Sequence, residues 1–196
     1  MQNSSEKRMA DHYEIRQAVY IGDKEVVIGV DETDPMPYLC AYFSMNGFCS
    51  SYKECIVSDD YVEIVAIFAE RIREQCESVR KEKEAITVPM DAVTADMCLP
   101  LYSETGLTGK VAAVRINALR PEYRAAPYQL FYVTGGNGAL GNARGSACFC
   151  TSLYDGKRCR WERRDIQGEV KPECLPDWAG KRAQEIRKER QERKER

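Results

Sequence analysis

The sequence is poor in histidine: His12 is the only one among 196 residues, and no Cys-x-x-Cys pair occurs. Structural zinc sites are usually built from cysteine and histidine at such short spacings, and a cysteine nucleophile usually works with a histidine base. The nine cysteines are an odd number, which does not suit a disulfide framework. We therefore predict reduced thiols, no metal and no cofactor, with structural zinc as the less favoured alternative.

Long apolar runs are also missing. No segment approaches the roughly 20 apolar residues that cross a membrane, and residues 1–8 contain no apolar signal-peptide core. The composition, 43% hydrophobic and 31% charged residues, is typical of a soluble globular protein. We expect a cytoplasmic protein that makes no contact with a membrane.

Common catalytic signatures are absent as well. The sequence has no HExxH, no serine-nucleophile motif and no convincing pair of catalytic carboxylates. It also lacks the Walker lysine and the kinase motifs His-Arg-Asp and Asp-Phe-Gly. These absences exclude P-loop enzymes and protein kinases as candidate classes. A binding protein is therefore the favoured class over an enzyme.

Glycine, in contrast, is concentrated in one segment: five of the 13 glycines fall in residues 135–145, which we call the glycine loop. Gly136, Gly138 and Gly141 match the G-x-G-x-x-G pattern of dinucleotide-binding folds, in which a helix must follow the loop. Here the β-rich residues 147–150 follow instead. The pattern therefore does not predict a dinucleotide site.

Two interpretations of the glycine loop stay open. In the first, its backbone amides and Arg144 hold a phosphate or a carboxylate, as in a small anionic-ligand or nucleotide-binding domain or enzyme. In the second, the loop is a bulged connection between strands and has no ligand. We favour the second slightly, because a glycine cluster alone is a weak signal.

Charge is divided unevenly along the chain. Residues 1–100 carry 10 basic and 19 acidic side chains, whereas residues 101–196 carry 19 basic and 12 acidic ones. Such a division suits a protein with two different contact surfaces, and it equally suits two halves that attract each other within one fold.

Each half contributes a candidate contact surface. The acidic candidates could engage a basic protein groove by mimicking nucleic acid, and they are Asp31, Glu32, Asp34, Asp59 and Asp60. The basic candidates could contact a nucleic-acid backbone, and they are Lys157, Arg158, Arg160 and Arg163, together with Arg144. The alternative for both sets is ordinary solvated charge, with Asp59 or Asp60 capping a helix.

Glycine-containing turns between β-rich runs predict antiparallel hairpins. The turns are expected at Gly22-Asp23, Asn46-Gly47 and Asp155-Gly156, and further strands at 86–88, 109–118 and 129–134. Apolar residues at helical spacing predict a helix over about 59–84, and Pro176-Asp177 opens a C-terminal helix. The predicted class is α+β: antiparallel hairpins packed on one long helix, with a C-terminal helix.

The predicted organisation has three parts. Residues 1–12 form a disordered lead-in, and residues 13–186 form a single α+β domain with a subdivision allowed near 85–108. Residues 187–196 form a charged, solvated helical tail, because no apolar residue follows Ile186.

A further set of segments carries a resemblance: residues 56–61, 119–124, 132–145, 160–163 and 175–179. In these the chain resembles uncharacterised accessory proteins of mobile genetic elements in gut Firmicutes, over roughly residues 14–187. The resemblance carries no catalytic residues. It implies a small cytosolic protein of such an element, and proteins of this kind often counter host defence, as anti-CRISPR and antirestriction proteins do.

These observations together favour a non-enzymatic binding protein of a mobile element. We expect an inhibitor of a host nucleic-acid-directed defence complex, whose basic surface is engaged by the acidic half of the chain. The expected partner is a protein or a protein–nucleic-acid complex, and direct contact with nucleic acid stays open.

Overall fold

The structure is a computed structural model that describes residues 7–46 and 49–194. The chain forms two compact units, which we call unit 1, Met1–Ile86, and unit 2, Thr87–Arg196. Their boundary falls in the segment where the sequence allowed the single predicted domain to subdivide. Each unit contains an antiparallel five-stranded sheet and a long helix, so the predicted α+β class with a C-terminal helix is confirmed.

Unit 1 consists of strands β1 (Met9–Ala10), β2 (Tyr13–Ile21), β3 (Lys24–Val30), β4 (Tyr38–Asn46) and β5 (Cys49–Ser58), followed by helix α1 (Tyr61–Glu84). The strands lie in sequence order across the sheet. At the turn between β2 and β3, Gly22 has a φ of 68°, which glycine adopts without strain. The predicted Asn46-Gly47 turn includes Gly47, which lies outside the described residues.

Helix α1 begins where the sequence predicted because Asp60 caps it. The Asp60 carboxylate accepts a hydrogen bond from the Val62 amide at 2.7 Å, which satisfies one of the unpaired amides of the first turn. Ile64 and Phe68 then pack on one face of the sheet, in a cluster that includes Ile28. Removal of this apolar stripe from water holds the helix on the sheet.

The predicted disordered lead-in is wrong for residues 7–12, its described part. Met9–Ala10 pairs with β2. Arg8 donates two hydrogen bonds to Glu25, at 2.8 and 2.9 Å, and its guanidinium carbon lies 4.1 Å from the centroid of the Phe43 ring. These partners are distant in sequence, so no local pattern around Arg8 indicates them.

Unit 2 has the strand order β10-β6-β7-β8-β9, and all neighbouring pairs are antiparallel. These strands are β6 (Val111–Val114), β7 (Leu130–Gly135), β8 (Ala147–Ser152), β9 (Arg158–Glu162) and β10 (Ile166–Glu169), and the helices are α2 (Ala126–Gln129) and α3 (Asp177–Lys194). Strand β10 was not predicted, since its four residues include Gly168 and give little pattern. The strand predicted at 86–88 is absent.

The two faces of the unit 2 sheet have separate cores. On one face, Leu130 and Tyr132 pack with Ala183 and Ile186 of α3. On the other, the buried cluster includes strand residues of β6 to β8 and two loop residues: Ala112, Val133, Cys148, Cys150, Leu107 and Ala139. Because side chains alternate along a strand, one sheet supplies both clusters.

The described residues of the predicted charged, solvated helical tail are helical and mostly exposed, but two of its arginines also bond to neighbouring backbone. Helix α3 continues without a break through the described residues 187–194. Arg187 donates to the carbonyl of Gly109 at 3.4 Å, and Arg190 donates to the carbonyl of Thr134 at 2.9 Å. The highly charged end of α3 is therefore hydrogen-bonded to other segments of unit 2 through these arginines.

Candidate functional site

The glycine loop packs closely against neighbouring backbone. A Cβ atom at Gly138 would lie 2.2 Å from the carbonyl oxygen of Ser146, and one at Gly136 would lie 2.3 Å from that of Ala147. At Gly141 the corresponding distance, to the carbonyl oxygen of Glu104, is 2.4 Å. The glycines are thus required by the approach of two chain segments, a structural use of this residue.

Arg163 holds the glycine loop to a second loop. One of its terminal nitrogens donates to the carbonyl of Gly138 at 2.7 Å, and the other donates to those of Tyr102 and Thr105, both at 2.8 Å. A guanidinium carries five N–H donors in a fixed plane, so it can join several carbonyls at once. Arg163 therefore has a structural role here.

This geometry supports the interpretation of the glycine loop as a connection without a ligand. The carbonyls of Gly138 and Leu140 point towards Arg163, whereas an anion site needs converging N–H groups. Arg144 is exposed, and its guanidinium has no ion pair with any described residue.

A different part of unit 2 forms an open basic cleft of about 610 Å³ between α3 and the sheet. We call it the arginine cleft, after the four arginines that line it: Arg158, Arg182, Arg190 and Arg193. Glu189 is the only acidic residue in its lining. Phe149, Thr134 and Thr151 also line the cleft, and Phe149 is 52% exposed.

Strand register explains the sheet side of the arginine cleft. Phe149 pairs with Arg160, and Thr151 pairs with Arg158. Residues directly opposite each other in antiparallel strands present their side chains on the same face. This is the face on which α3 packs, so α3 forms one wall of the cleft and the strands form the other.

Helical spacing explains the other wall. Arg182, Ile186, Arg190 and Arg193 follow one another at intervals of four, four and three residues, which places them on one side of α3. Ile186 is 4% exposed and belongs to the core. Its burial fixes the rotation of the helix and directs the arginines on either side of it towards the cleft.

The four cleft arginines differ in what they already bind. Arg182 forms ion pairs with Glu185 at 2.7 Å and Glu189 at 3.7 Å. One terminal nitrogen of Arg190 donates a hydrogen bond to the Thr134 carbonyl. Arg158 and Arg193 form no side-chain ion pair or hydrogen bond with any described residue, so their donors are available to an anion.

Two of the residues that line the arginine cleft are Cys150 and Cys159, whose side chains pack in the core on the other face of the sheet. Burial raises the pKa of Cys150 to about 12 and that of Cys159 to about 11. Both side chains are therefore protonated at neutral pH and are poor nucleophiles. In the part of the chain that the structure describes, no group of three or more His, Cys, Asp or Glu side chains could hold a metal ion.

The predicted basic residues separate in the structure. Arg158 lines the arginine cleft, and Arg160 shares its sheet face but is paired with Glu162 at 2.5 Å. Lys157 forms an ion pair with Asp155, within the hairpin turn, at 3.0 Å. Sequence reasoning missed the arginines of α3, although their helical spacing around Ile186 is visible in the sequence.

The predicted acidic residues are brought to one end of the unit 1 sheet. Tyr38, which begins β4, pairs with both Val30, the end of β3, and Ser58, the end of β5. The loop at 31–37 and the acidic pair at 59–60 therefore emerge from the same end. We call this region the acidic end; its carboxylates are Asp31, Glu32, Asp34, Asp59 and Asp60.

Three of these carboxylates are used in local structure. Asp31 accepts hydrogen bonds from the amide and hydroxyl of Thr33, at 2.9 and 2.7 Å, and these bonds lower the pKa of Asp31. Asp34 accepts from the amide of Met36 at 2.8 Å, and Asp60 caps α1. Glu32 and Asp59 are exposed, and their side chains form no ion pair or hydrogen bond with a described residue.

Comparisons with known proteins give no match to a family model, to a curated protein or to a solved structure. Among the helices that the structure describes, none is long and apolar enough to cross a membrane.

Proposed function

We propose that this chain is a non-enzymatic binding protein whose unit 2 binds the phosphates of a nucleic acid in the arginine cleft. The observation that carries the proposal is the gathering of four arginines around one open cleft, with a single glutamate among them. Arginine matches the geometry of phosphate with two parallel hydrogen bonds, and several arginines along one surface suit a chain of phosphates.

The positions of the unpaired donors support this proposal. Arg158 and Arg193 come from opposite walls of the cleft, and neither is neutralised by a described side chain. A bound chain of phosphates would provide these two guanidinium groups with ion-pair partners. Residues 87–196 carry 19 basic and 14 acidic side chains, so the surrounding field also attracts a polyanion.

The test is binding of a fluorescein-labelled 20-nucleotide oligonucleotide, followed by anisotropy at several salt concentrations. The double variant Arg158→Ala/Arg193→Ala should weaken binding about 10-fold or more, and it should reduce the slope of log K against log salt by about 2. The matched control is Arg164→Ala, since the Arg164 side chain is 85% exposed and lies outside the cleft lining. Equal losses in the two variants, or no binding at low salt, would contradict the proposal.

A second candidate function concerns unit 1. We propose that the acidic end engages a basic protein surface, as an inhibitor of a nucleic-acid-directed defence complex of the anti-CRISPR or antirestriction type would. The supporting observation is the strand register that brings both acidic loops to one end of the sheet. The choice of a defence complex as partner depends on the resemblance to mobile-element proteins.

This second candidate has its own test. Glu32→Lys/Asp59→Lys reverses two exposed carboxylates that take no part in turns or caps, so the fold should be kept. Asp23→Lys is the control, because Asp23 is exposed in the turn at the other end of the same sheet. In a pull-down from a host with defence systems, a specific partner should be lost with the double variant and kept with the control. Unchanged capture by the double variant would exclude the acidic end.

A further inference from the structure

We infer that the nucleic acid bound in the arginine cleft is single-stranded and that one of its unpaired bases stacks on Phe149. This inference depends on the proposed function of unit 2, and it adds the class of nucleic acid and the residue that selects it.

Phe149 is unusual for an aromatic residue within a central strand. Strand β8 lies between β7 and β9, yet the Phe149 side chain is 52% exposed. Its neighbours Cys148 and Cys150 are buried on the other face. Exposure of this ring leaves apolar surface in water, and no described side chain covers it. A stacked base would cover it.

The flanks of Phe149 leave room for such a base. Directly opposite on β7 is Gly135, which has no side chain, and a Cβ atom built there would meet nothing within 4 Å. Directly opposite on β9 is Arg160. The ring thus has open space on the Gly135 side and, on the other, Arg160, whose guanidinium group is paired with Glu162.

Arginines that could bind phosphate lie on both sides of the cleft that contains this ring. Arg158 lies two residues before Arg160 on β9, on the same face of the sheet, so Arg158 is a diagonal neighbour of Phe149. Diagonal neighbours in an antiparallel sheet are about 7–8 Å apart. Arg190 and Arg193 face the strands from α3. A single strand that follows the cleft would meet guanidinium groups on both sides while one base contacts Phe149.

A duplex does not fit this arrangement as well. The bases of a duplex are stacked on one another, so their faces are not available to a protein side chain, and only the phosphates would make contact. Single strands and unpaired loops expose the base faces that aromatic side chains recognise. Phe149 therefore favours the single strand, whereas the arginines serve both.

The experiment compares four probes on the folded full chain: a 20-nucleotide single strand, the same sequence as a duplex, an abasic strand of equal length, and inorganic polyphosphate. The wild type should bind the single strand about 10-fold more tightly than the other three. Phe149→Ala should remove this preference, Phe149→Trp should keep it, and Arg158→Ala/Arg193→Ala should weaken all four probes. Leu140→Ala, which removes another exposed apolar side chain of unit 2, should change nothing.

Two results would overturn the inference and leave the proposed function intact. One is unchanged binding of the single strand by Phe149→Ala when the arginine variant loses it. The other is equal affinity of the wild type for the single strand and the abasic strand, a measurement that needs no variant. Failure of the arginine variant to weaken any probe would instead contradict the proposed function itself.

Discussion

Unit 1 and unit 2 each gather charged side chains in one place, but they use them differently. At the acidic end of unit 1, Asp31, Asp34 and Asp60 accept hydrogen bonds from nearby backbone and hold turns and a helix cap. In the arginine cleft of unit 2, Arg182 and Arg190 have protein partners, whereas Arg158 and Arg193, from opposite walls, form no side-chain ion pair or hydrogen bond with any described residue. A cluster of charge is thus better evidence for a binding surface when its hydrogen-bonding groups are left without partners in the protein.

Arg163 is the arginine of unit 2 with the most hydrogen bonds to described backbone, and its loss should have the largest effect on stability. Arg163→Met removes hydrogen bonds to several loop carbonyls and should lower the free energy of unfolding by about 2–3 kcal/mol. Both tryptophans, Trp161 and Trp178, belong to unit 2, so tryptophan fluorescence in a urea titration follows this unit. The adjacent Arg164→Met should change stability by less than about 0.5 kcal/mol; similar losses for both would make Arg163 an ordinary surface residue.

Gly138 tests whether the glycine loop is structural. Gly138→Ala places a methyl group 2.2 Å from the Ser146 carbonyl oxygen, so the loop must move away from the neighbouring chain. We expect a loss of about 2 kcal/mol in the same fluorescence-monitored urea titration. Gly106→Ala is the control, because its Cβ would meet its nearest atom at 3.8 Å. If the two variants are equally stable, close packing does not explain the glycine.

Asp60 and Asp59 allow a comparison in unit 1 between a carboxylate that caps a helix and one that has no described partner. Asp60→Ala removes the cap of α1 and should cost about 1 kcal/mol. Asp59→Ala should be close to neutral, since its side chain has no described partner. Hydrogen exchange of the α1 amides measures the difference within unit 1. Equal protection of the α1 amides in both variants would show that the cap contributes nothing measurable.

The smallest expected effect is a pH dependence at His12. Burial lowers the pKa of His12, but hydrogen bonds with Asp11 and Asp34, at 3.1 and 3.0 Å, outweigh it and raise the pKa above 6.5. A raised pKa means that the protonated form stabilises the fold below about pH 6.5 and that this contribution is lost as the pH rises through the folded-state pKa.

His12 can be measured directly because it is the only histidine. Its single imidazole NMR signal should titrate above pH 6.5 in the folded protein. The stability difference between wild type and His12→Asn should be larger at pH 5.5 than at pH 8.5. A signal that titrates below pH 6.5 would contradict the ion pairs of His12 with Asp11 and Asp34.

The candidate sites were only partly visible in the sequence. The basic hairpin pointed to Arg158, which lines the arginine cleft, and the spacing of residues 182–193 could have added the α3 arginines. Nothing local distinguishes Arg163 from Arg164, although Arg163 donates hydrogen bonds to carbonyls of two loops and the Arg164 side chain is exposed. That difference depends on loops about 20 to 60 residues away in the chain.

The sequence by itself determined most elements of this protein, with the short strands β1 and β10 as exceptions. Glycine turns between β-rich runs defined the hairpins, and apolar spacing with an aspartate cap defined α1, because these signals act over a few residues. Tertiary structure alone decided which charges are available. Strand register placed Phe149 and Arg158 on the face beside α3, and packing of Ile186 turned three further arginines towards them. Such contacts join residues far apart in the chain, so no local pattern records them.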